Sequence, residues 1–362
     1  MKIGFLHVGH ERHGVRRFGH ILSAAVGEKV TVVDWNYEPG LSLETVDPRL
    51  ETVDLVHIQY NAQFYSSVWG TLFTQVQNLA SFLRNCQRPV VVTLHDIYEP
   101  GYLKSAYHFS WMDWVKSRVA PYRRSYQVLA RYRVWPVVNS GEESRRLRAM
   151  VASITPRVIP HYIESMPTRV PPAEAKAKLG LQGKTVYIML GFLHPRKRQD
   201  LAIACLPHLP RDWQLILVGG AVPAFAYYQN DLLEQAKGLG VEKQVTITGY
   251  IPDDRLPLYL SAADAAICPF ANVSASGSLS TLMAGGVPIV ASALPLFEEY
   301  NEMTPNAILI VPDENPVSYS RALQTVVSER NERRKGLQNL ARQLSPQKIA
   351  DRYLELYREI LL

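Results

Sequence analysis

Two patterns alternate along this chain: short runs that are apolar almost throughout, and longer stretches in which apolar residues recur every three or four positions. The first predicts strands buried on both faces and the second predicts amphipathic helices. Runs of the first kind fall at residues 2–8 (K-I-G-F-L-H-V), 30–35, 55–59, 89–94 (P-V-V-V-T-L), 137–139 and 157–159, with helices expected over 15–26 and roughly 69–85. Residues 161–172 carry Pro167, Pro171 and Pro172 without periodicity and read as a linker. The alternation then starts afresh, with strands at 185–190, 214–218, 245–248, 265–268, 288–291 and 307–311 and helices at 198–206, 228–239, 256–262, 279–284 and 317–329. In 346–362 Ile349, Tyr353, Leu356, Tyr357 and Ile360 return to helical spacing. The expected fold class is α/β: two doubly wound, Rossmann-like domains facing a cleft, 1–165 and 166–345, with a closing helix 346–362 packed back on the first.

Composition changes this picture little. A chain of 362 residues exceeds one comfortable core, and 47% hydrophobic with 20% charged residues is ordinary for globular domains. Cys86, Cys205 and Cys268 are far apart and lack metal-ligand spacing, so free thiols in a reducing, cytoplasmic compartment are expected. No apolar run approaches the length of a membrane span, and the start is too short for a signal-peptide core. The net charge of +6 matters only if it is concentrated. It is: residues 98–150 hold ten Lys and Arg against four acids, interleaved with Tyr102, Tyr107, Trp111, Trp114, Tyr122, Tyr126 and Trp135. Docking on an anionic membrane surface, or on a lipid-linked or phosphorylated acceptor, is one reading of that segment. A solvated basic face is the other, and no nucleic-acid recognition motif accompanies it.

The candidate chemistry centres on residues 264–292, D-A-A-I-C-P-F-A-N-V-S-A-S-G-S-L-S-T-L-M-A-G-G-V-P-I-V-A-S. A strand, a small polar loop and a helix start in that order set free N–H groups and the positive end of a helix dipole beside the loop, which suits phosphate. Gly277 permits close approach of a ligand; Ser276 and Ser278 offer hydroxyls, and either can instead simply cap the helix.

With these pieces placed, the chain resembles the family 4 glycosyltransferases, retaining nucleotide-sugar enzymes of the GT-B fold, over nearly its whole length. The motifs that carry the resemblance are Gly14-Val15-Arg16-Arg17-Phe18, D-L-V-H-I-Q at 54–59, V-V-V-T-L-H-D at 90–96, V-I-P-H at 158–161, G-F-L-H-P-R-K-R-Q-D at 191–200, V-T-I-T-G-Y-I at 245–251 and L-Y-L-S-A-A-D at 258–264. Each is weak singly; their order is specific. The resemblance implies that the first domain takes the acceptor and the second a nucleotide-diphosphate sugar. His95, following a strand directly, would contact the donor sugar and share in handling the acceptor proton, with Asp96 orienting its ring; a purely structural histidine is the alternative. Lys197 and Arg196 would offset charge on the departing diphosphate, unless R-K-R is only a solvated turn. Donor binding is further expected from Ser276, Gly277, Ser278, Leu279 and Thr281 around the phosphates, with the base near Tyr250 and Ile251. His13, Gly14 and Val15 would form the glycine loop on the acceptor side. No cofactor beyond the co-substrate and no metal is expected.

Two departures stand out. The family usually carries two glutamates eight positions apart at its donor loop, where this chain has Val273 and Thr281, and often an arginine where it has Phe192. The resemblance implies a retaining transfer to a hydroxyl of a glycan, glycolipid or lipid-linked acceptor, and the departures motivate the alternative, a non-catalytic GT-B partner of an active transferase.

Overall fold

The computed structural model describes residues 1–8, 14–37, 48–61, 72–97, 122–164, 166, 170–221, 225–273 and 276–362. Among these the chain forms two compact units, one running up to Tyr162 and completed by Leu344–Leu362, the other built from Ile163–Gln343.

The first unit contains β1 (Lys2–Val8), α1 (Gly14–Gly27), β2 (Thr31–Tyr37), β3 (Leu55–Tyr60), α2 (Leu72–Asn85), β4 (Val90–Leu94), α3 (Tyr122–Arg131), β5 (Val134–Val138), α4 (Gly141–Met150) and β6 (Arg157–Val158). Its sheet has the order β2-β1-β3-β4-β5-β6 and every pairing is parallel. All residues of β3 and β4 are buried, as continuous apolar runs in a doubly covered sheet should be. α4 was not anticipated. Its start is a capping arrangement: the Ser140 hydroxyl accepts from the Glu143 N–H at 3.1 Å, and the Glu143 carboxylate accepts from the Asn139 N–H at 2.8 Å.

The second unit contains α5 (Pro172–Lys178), β7 (Thr185–Leu190), α6 (Gln199–Ala204), β8 (Trp213–Val218), α7 (Ala226–Gly238), β9 (Val245–Ile247), α8 (Leu256–Ala262), β10 (Ala265–Cys268), α9 (Gly277–Ala284), β11 (Ile289–Ser292), α10 (Pro295–Met303), β12 (Ile308–Val311), α11 (Pro316–Ser328) and α12 (Arg330–Gln343). The order β12-β11-β10-β7-β8-β9 is again parallel throughout. In order of appearance this is 6-5-4-1-2-3, the Rossmann arrangement, whose switch point lies between its first and fourth strands, β7 and β10. α6 is shorter than the 198–206 expected: at its start Arg198 takes a left-handed conformation (φ 60°) that cannot be part of a helix, and past Ala204 the chain passes into a 3-10 turn, Leu206–His208. α12 has no counterpart in the sequence reading. Only Leu337 and Leu340 are buried along it, too few points for an apolar period to show.

The last helix, α13 (Pro346–Leu361), returns to the first unit. It buries Ile349, Ala350, Tyr353, Leu354, Leu356 and Tyr357, and packs on α1. Ion pairs Lys29–Asp351 and Arg157–Glu359 flank that contact.

Candidate donor site and the environment of His95

In the second unit the residues singled out from sequence gather at the switch point. β7 ends at Leu190, and the turn after it carries Lys197; β10 ends at Cys268, and the loop after it leads to α9. Lys197 joins the two. Its ammonium donates to the Leu190 carbonyl at 3.0 Å and to the Ser278 hydroxyl at 3.3 Å, and lies 5.6 Å from the centre of the Phe270 ring. The backbone tie beside it is Ala271 N–H to the Arg196 carbonyl, 2.9 Å. Burial, then the nearby Arg196 charge, lowers the Lys197 pKa to about 8, against an opposing pull from Cys268. A half-buried ammonium that meets two neutral acceptors among the described residues keeps uncompensated charge and gains from an anion.

The turn itself is built for this. His194 Nδ1 accepts from the Arg196 N–H at 3.1 Å, which needs a neutral ring; burial, with Arg196 and Lys197 adding, lowers the His194 pKa to about 4. Gly191 sits at φ 110°, and a side chain there would collide with the Lys197 ammonium, so only glycine fits both the backbone and the space. A side chain on Gly219 would likewise strike Gly191, and Gly220 lies against Gly249, so the loops leaving β7, β8 and β9 touch one another. Beside them Tyr250 is 69% exposed and Phe192 61% exposed, two aromatic faces turned to solvent, with Ile251 half-buried.

At α9, Ser276 is the N-cap: its hydroxyl accepts from the Leu279 N–H at 3.4 Å and lies 3.0 Å from the Ser278 hydroxyl. Of the two roles open to these serines, Ser276 takes the cap and Ser278 the contact with Lys197. The first-turn N–H groups of Gly277 and Ser278 precede the first backbone bond of the helix, which Ser280 N–H makes to Ser276. Leu279 is a core side chain, fully buried, and can offer a ligand only its backbone. Thr281 spends its hydroxyl proton on the Gly277 carbonyl at 2.8 Å, so toward a ligand its oxygen can only accept.

In the first unit, His13 and residues 98–121 of the basic segment lie outside the described residues. Gly14 opens α1 and Val15 is buried on it. His95 follows β4 and is 8% exposed; its N–H donates to the Tyr60 carbonyl at 2.8 Å and its Nε2 lies 2.9 Å from Gln59 Oε1. Phe18 meets its ring edge-on. Asp96 is left-handed at φ 63°, and its carbonyl accepts from Tyr126 at 3.3 Å. A non-glycine residue in that region costs free energy and tends to mark a functional turn. His57 is the satisfied core histidine expected, with Tyr357, Thr93 and Gln59 as partners.

The basic segment needs correction at two described positions. Arg146 is not on a cationic face: it is 2% exposed and donates to the Ile97 carbonyl at 3.1 Å. Tyr126, 1% exposed, is core and no interfacial anchor. Both changes follow from α3 and α4 covering the sheet, which a charge count along the sequence does not see. Among the described residues no helix is long and apolar enough to cross a membrane. Among the same residues one group has metal-ligand spacing, His7, His20 and Asp34, whose donor atoms lie within 4.8 Å. It belongs to β1, α1 and β2 of the first unit, and His7 Nε2 and Asp34 already meet at 2.5 Å.

Residues 173–344 match the family of glycosyl transferases group 1. Anabaena Alr3699/HepE, solved in complex with UDP and glucose, aligns with 99% of this chain and 100% of its own at TM-score 0.72 and 19% identity. The fold is GT-B. Over 129 residues the chain is also 34% identical to the GDP-mannose-dependent alpha-(1-6)-phosphatidylinositol monomannoside mannosyltransferase of Mycolicibacterium smegmatis, covering 33% of this chain and 32% of that protein. The alpha-monoglucosyldiacylglycerol synthase of Streptococcus pneumoniae is 32% identical over 127 residues, 34% of this chain and 27% of that one. The chain thus matches about a third of the length of these curated relatives. In this GT-B protein, Gln59 and Gly191 fall inside motifs that the sequence shows, but sequence reasoning assigns neither a role. A signal existed for Gln59: two positions from His57 on a strand, it must share that residue's face.

Proposed function

We propose that the protein is a retaining glycosyltransferase that moves a sugar from a nucleotide-diphosphate sugar to a hydroxyl of a glycan, glycolipid or lipid-linked acceptor. The carrying observation is Lys197, half-buried at the switch point between β7 and β10 and hydrogen-bonded only to neutral oxygens among its described contacts. In the reaction the bond from the anomeric carbon to the diphosphate breaks, a new bond forms from that carbon to the acceptor oxygen, and the proton displaced from the acceptor hydroxyl passes to His95 or to the departing diphosphate. Negative charge grows on the diphosphate, where Lys197, Arg196 and the first-turn amides of α9 would offset it. Donor hydroxyls are left to serine, threonine and backbone groups, since Val273 and Thr281 supply no carboxylate. His95 takes the acceptor-side role, with Asp96 beside it. A lipid-linked acceptor is favoured by the names of two curated relatives, one a mannosyltransferase acting on a phosphatidylinositol monomannoside and the other a synthase of a glucosylated diacylglycerol. On this reading the enzyme works in the cytoplasm at the inner face of a membrane, and residues 98–150 meet anionic headgroups.

The test is nucleoside diphosphate release from UDP, GDP and ADP sugars with a broad acceptor extract. Acceptor-dependent release with one donor, lost in Lys197→Ala and His95→Ala proteins that still fold, is the expected result. Donor binding without any acceptor-dependent release would leave the non-catalytic partner as the reading.

A further inference from the structure

His95 does not sit alone at the end of its strand. Residues 57 and 59 on β3 and 93 and 95 at β4 share one face of the sheet, because side chains on a strand repeat every two positions. The register sets Gln59 opposite Thr93. From this face a line of contacts runs from the sheet edge to the last helix. His95 Nε2 is 2.9 Å from Gln59 Oε1, Gln59 Nε2 is 3.3 Å from His57 Nε2, and His57 Nδ1 is 2.6 Å from the Tyr357 hydroxyl. A branch joins it, with Thr93 Oγ1 at 2.8 Å from both His57 Nε2 and the Tyr353 hydroxyl. His57, Gln59, Thr93, Tyr353 and Tyr357 are all 0% exposed, so water does not compete for these bonds.

The chain has a direction. Burial, with the His7 and His95 rings adding, holds the His57 pKa well below the usual imidazole value, so His57 is neutral and has one donor and one acceptor. With the Gln59 amide as it stands, its NH₂ donates to His57 Nε2. His57 must then carry its proton on Nδ1 and donate to Tyr357. At the other end the Gln59 carbonyl oxygen can only accept, so His95 carries its proton on Nε2. Gln59 thereby couples two ring tautomers that would otherwise be independent.

We propose that Gln59, His57 and Tyr357 are positioning residues for His95, a buried relay from α13 that fixes which ring nitrogen of His95 holds the proton. The proposal deepens the glycosyltransferase reading, on which the importance of His95 rests. The relay lies wholly within the first unit. It gives α13 a chemical task beyond covering the sheet: its tyrosine hydroxyl closes the far end of the relay.

Nitrogen-15 NMR of the full-length protein labelled at histidine reads the tautomers directly, with no donor or acceptor present. In the wild type His95 should show a protonated Nε2 and His57 a protonated Nδ1. Gln59→Leu should take His95 out of its single tautomer. Gln59→Glu, nearly isosteric and accepting on both sides, should leave the His95 proton on Nε2 while moving the His57 proton from Nδ1 to Nε2. Tyr357→Phe should perturb His57 and, through Gln59, His95. Leu356→Ala, which truncates a buried neighbour on the same helix, should lower the melting temperature and leave both tautomers alone. If turnover is found, Gln59→Leu should lower kcat about tenfold with donor KM within about twofold. A His95 tautomer indifferent to Gln59→Leu and Tyr357→Phe, or a His57 tautomer indifferent to Gln59→Glu, overturns the relay even in an active enzyme. The tautomer changes in a protein that releases no nucleoside diphosphate would uphold the relay and remove only the catalytic reading.

Discussion

At the scale of single residues, Lys197 is the one whose chemistry is most exposed to test. Its pKa near 8 lies below the ordinary lysine value because desolvation penalises the ammonium. A diphosphate favours the ammonium and must raise that value. Below about pH 8 the side chain is already charged, and the full attraction is available to the ligand. Above it the free protein holds a neutral amine, and binding must recruit a proton first, so affinity falls as pH rises through 8, by at most about tenfold per pH unit for one proton. His194 and Cys268 do not titrate in this window, having been driven to about 4 and about 12. Calorimetry of nucleoside diphosphate binding near pH 8.5, in buffers of different ionisation enthalpy, should show uptake of a fraction of a proton. Lys197→Met should bind more weakly and show neither uptake nor fall. Uptake of the same size in the variant would assign the proton to another group.

At the scale of elements, the start of α9 separates folding from binding. The Ser276 cap satisfies the Leu279 N–H and stands next to Ser278, which touches Lys197. Ser276→Ala should cost about 1 kcal/mol of stability in urea unfolding, the usual worth of a cap. Ser276→Asp should keep the cap and gain from the helix dipole, yet weaken diphosphate binding by placing a carboxylate beside the phosphates. A variant both stable and undiminished in affinity would move the phosphates away from α9. This element was legible beforehand because strand, small polar loop and helix formers appear in order within 264–292. So were all twelve strand positions, to within a few residues, since the central strands are buried on both faces as continuous apolar runs and the edge strands β6 and β9 keep β-branched residues. α12 was not, because two buried leucines make no period, and α4 was passed over although S-x-x-E at Ser140–Glu143 announces it. The ties between elements were the least legible part. Lys197 to Leu190 and Ser278, and His95 to Gln59, depend on which strands become neighbours, and neighbours are set by the sheet order and not by adjacency in the chain.

At the scale of the whole molecule, the first unit is made of two pieces of chain with the entire second unit inserted between them. The two units should therefore differ in whether they fold alone. The fragment 163–343 holds a complete six-stranded sheet and its helices, and should fold and bind a nucleoside diphosphate unaided. The fragment 1–162 lacks α13. Without it, the surfaces that meet Ile349, Tyr353, Leu354 and Tyr357 are exposed to water, and His57 and Thr93 exchange tyrosine hydroxyls for solvent. Leaving one large apolar side chain's contacts in water costs about 1.5–3 kcal/mol, so several together are a large share of a marginal domain's stability. Near-ultraviolet circular dichroism should find 1–162 without fixed tertiary packing, and peptide 344–362 should restore it at concentrations set by a bimolecular equilibrium. In the intact chain the same docking is unimolecular. The folded second unit fixes the distance between its own ends, so the closure entropy of a long loop is largely met before α13 docks. Tyr353→Phe with Tyr357→Phe should then weaken peptide rescue more than either change alone. A native spectrum from 1–162 without the peptide would show that α13 covers a unit already folded, and would strip it of any part in making the first sheet.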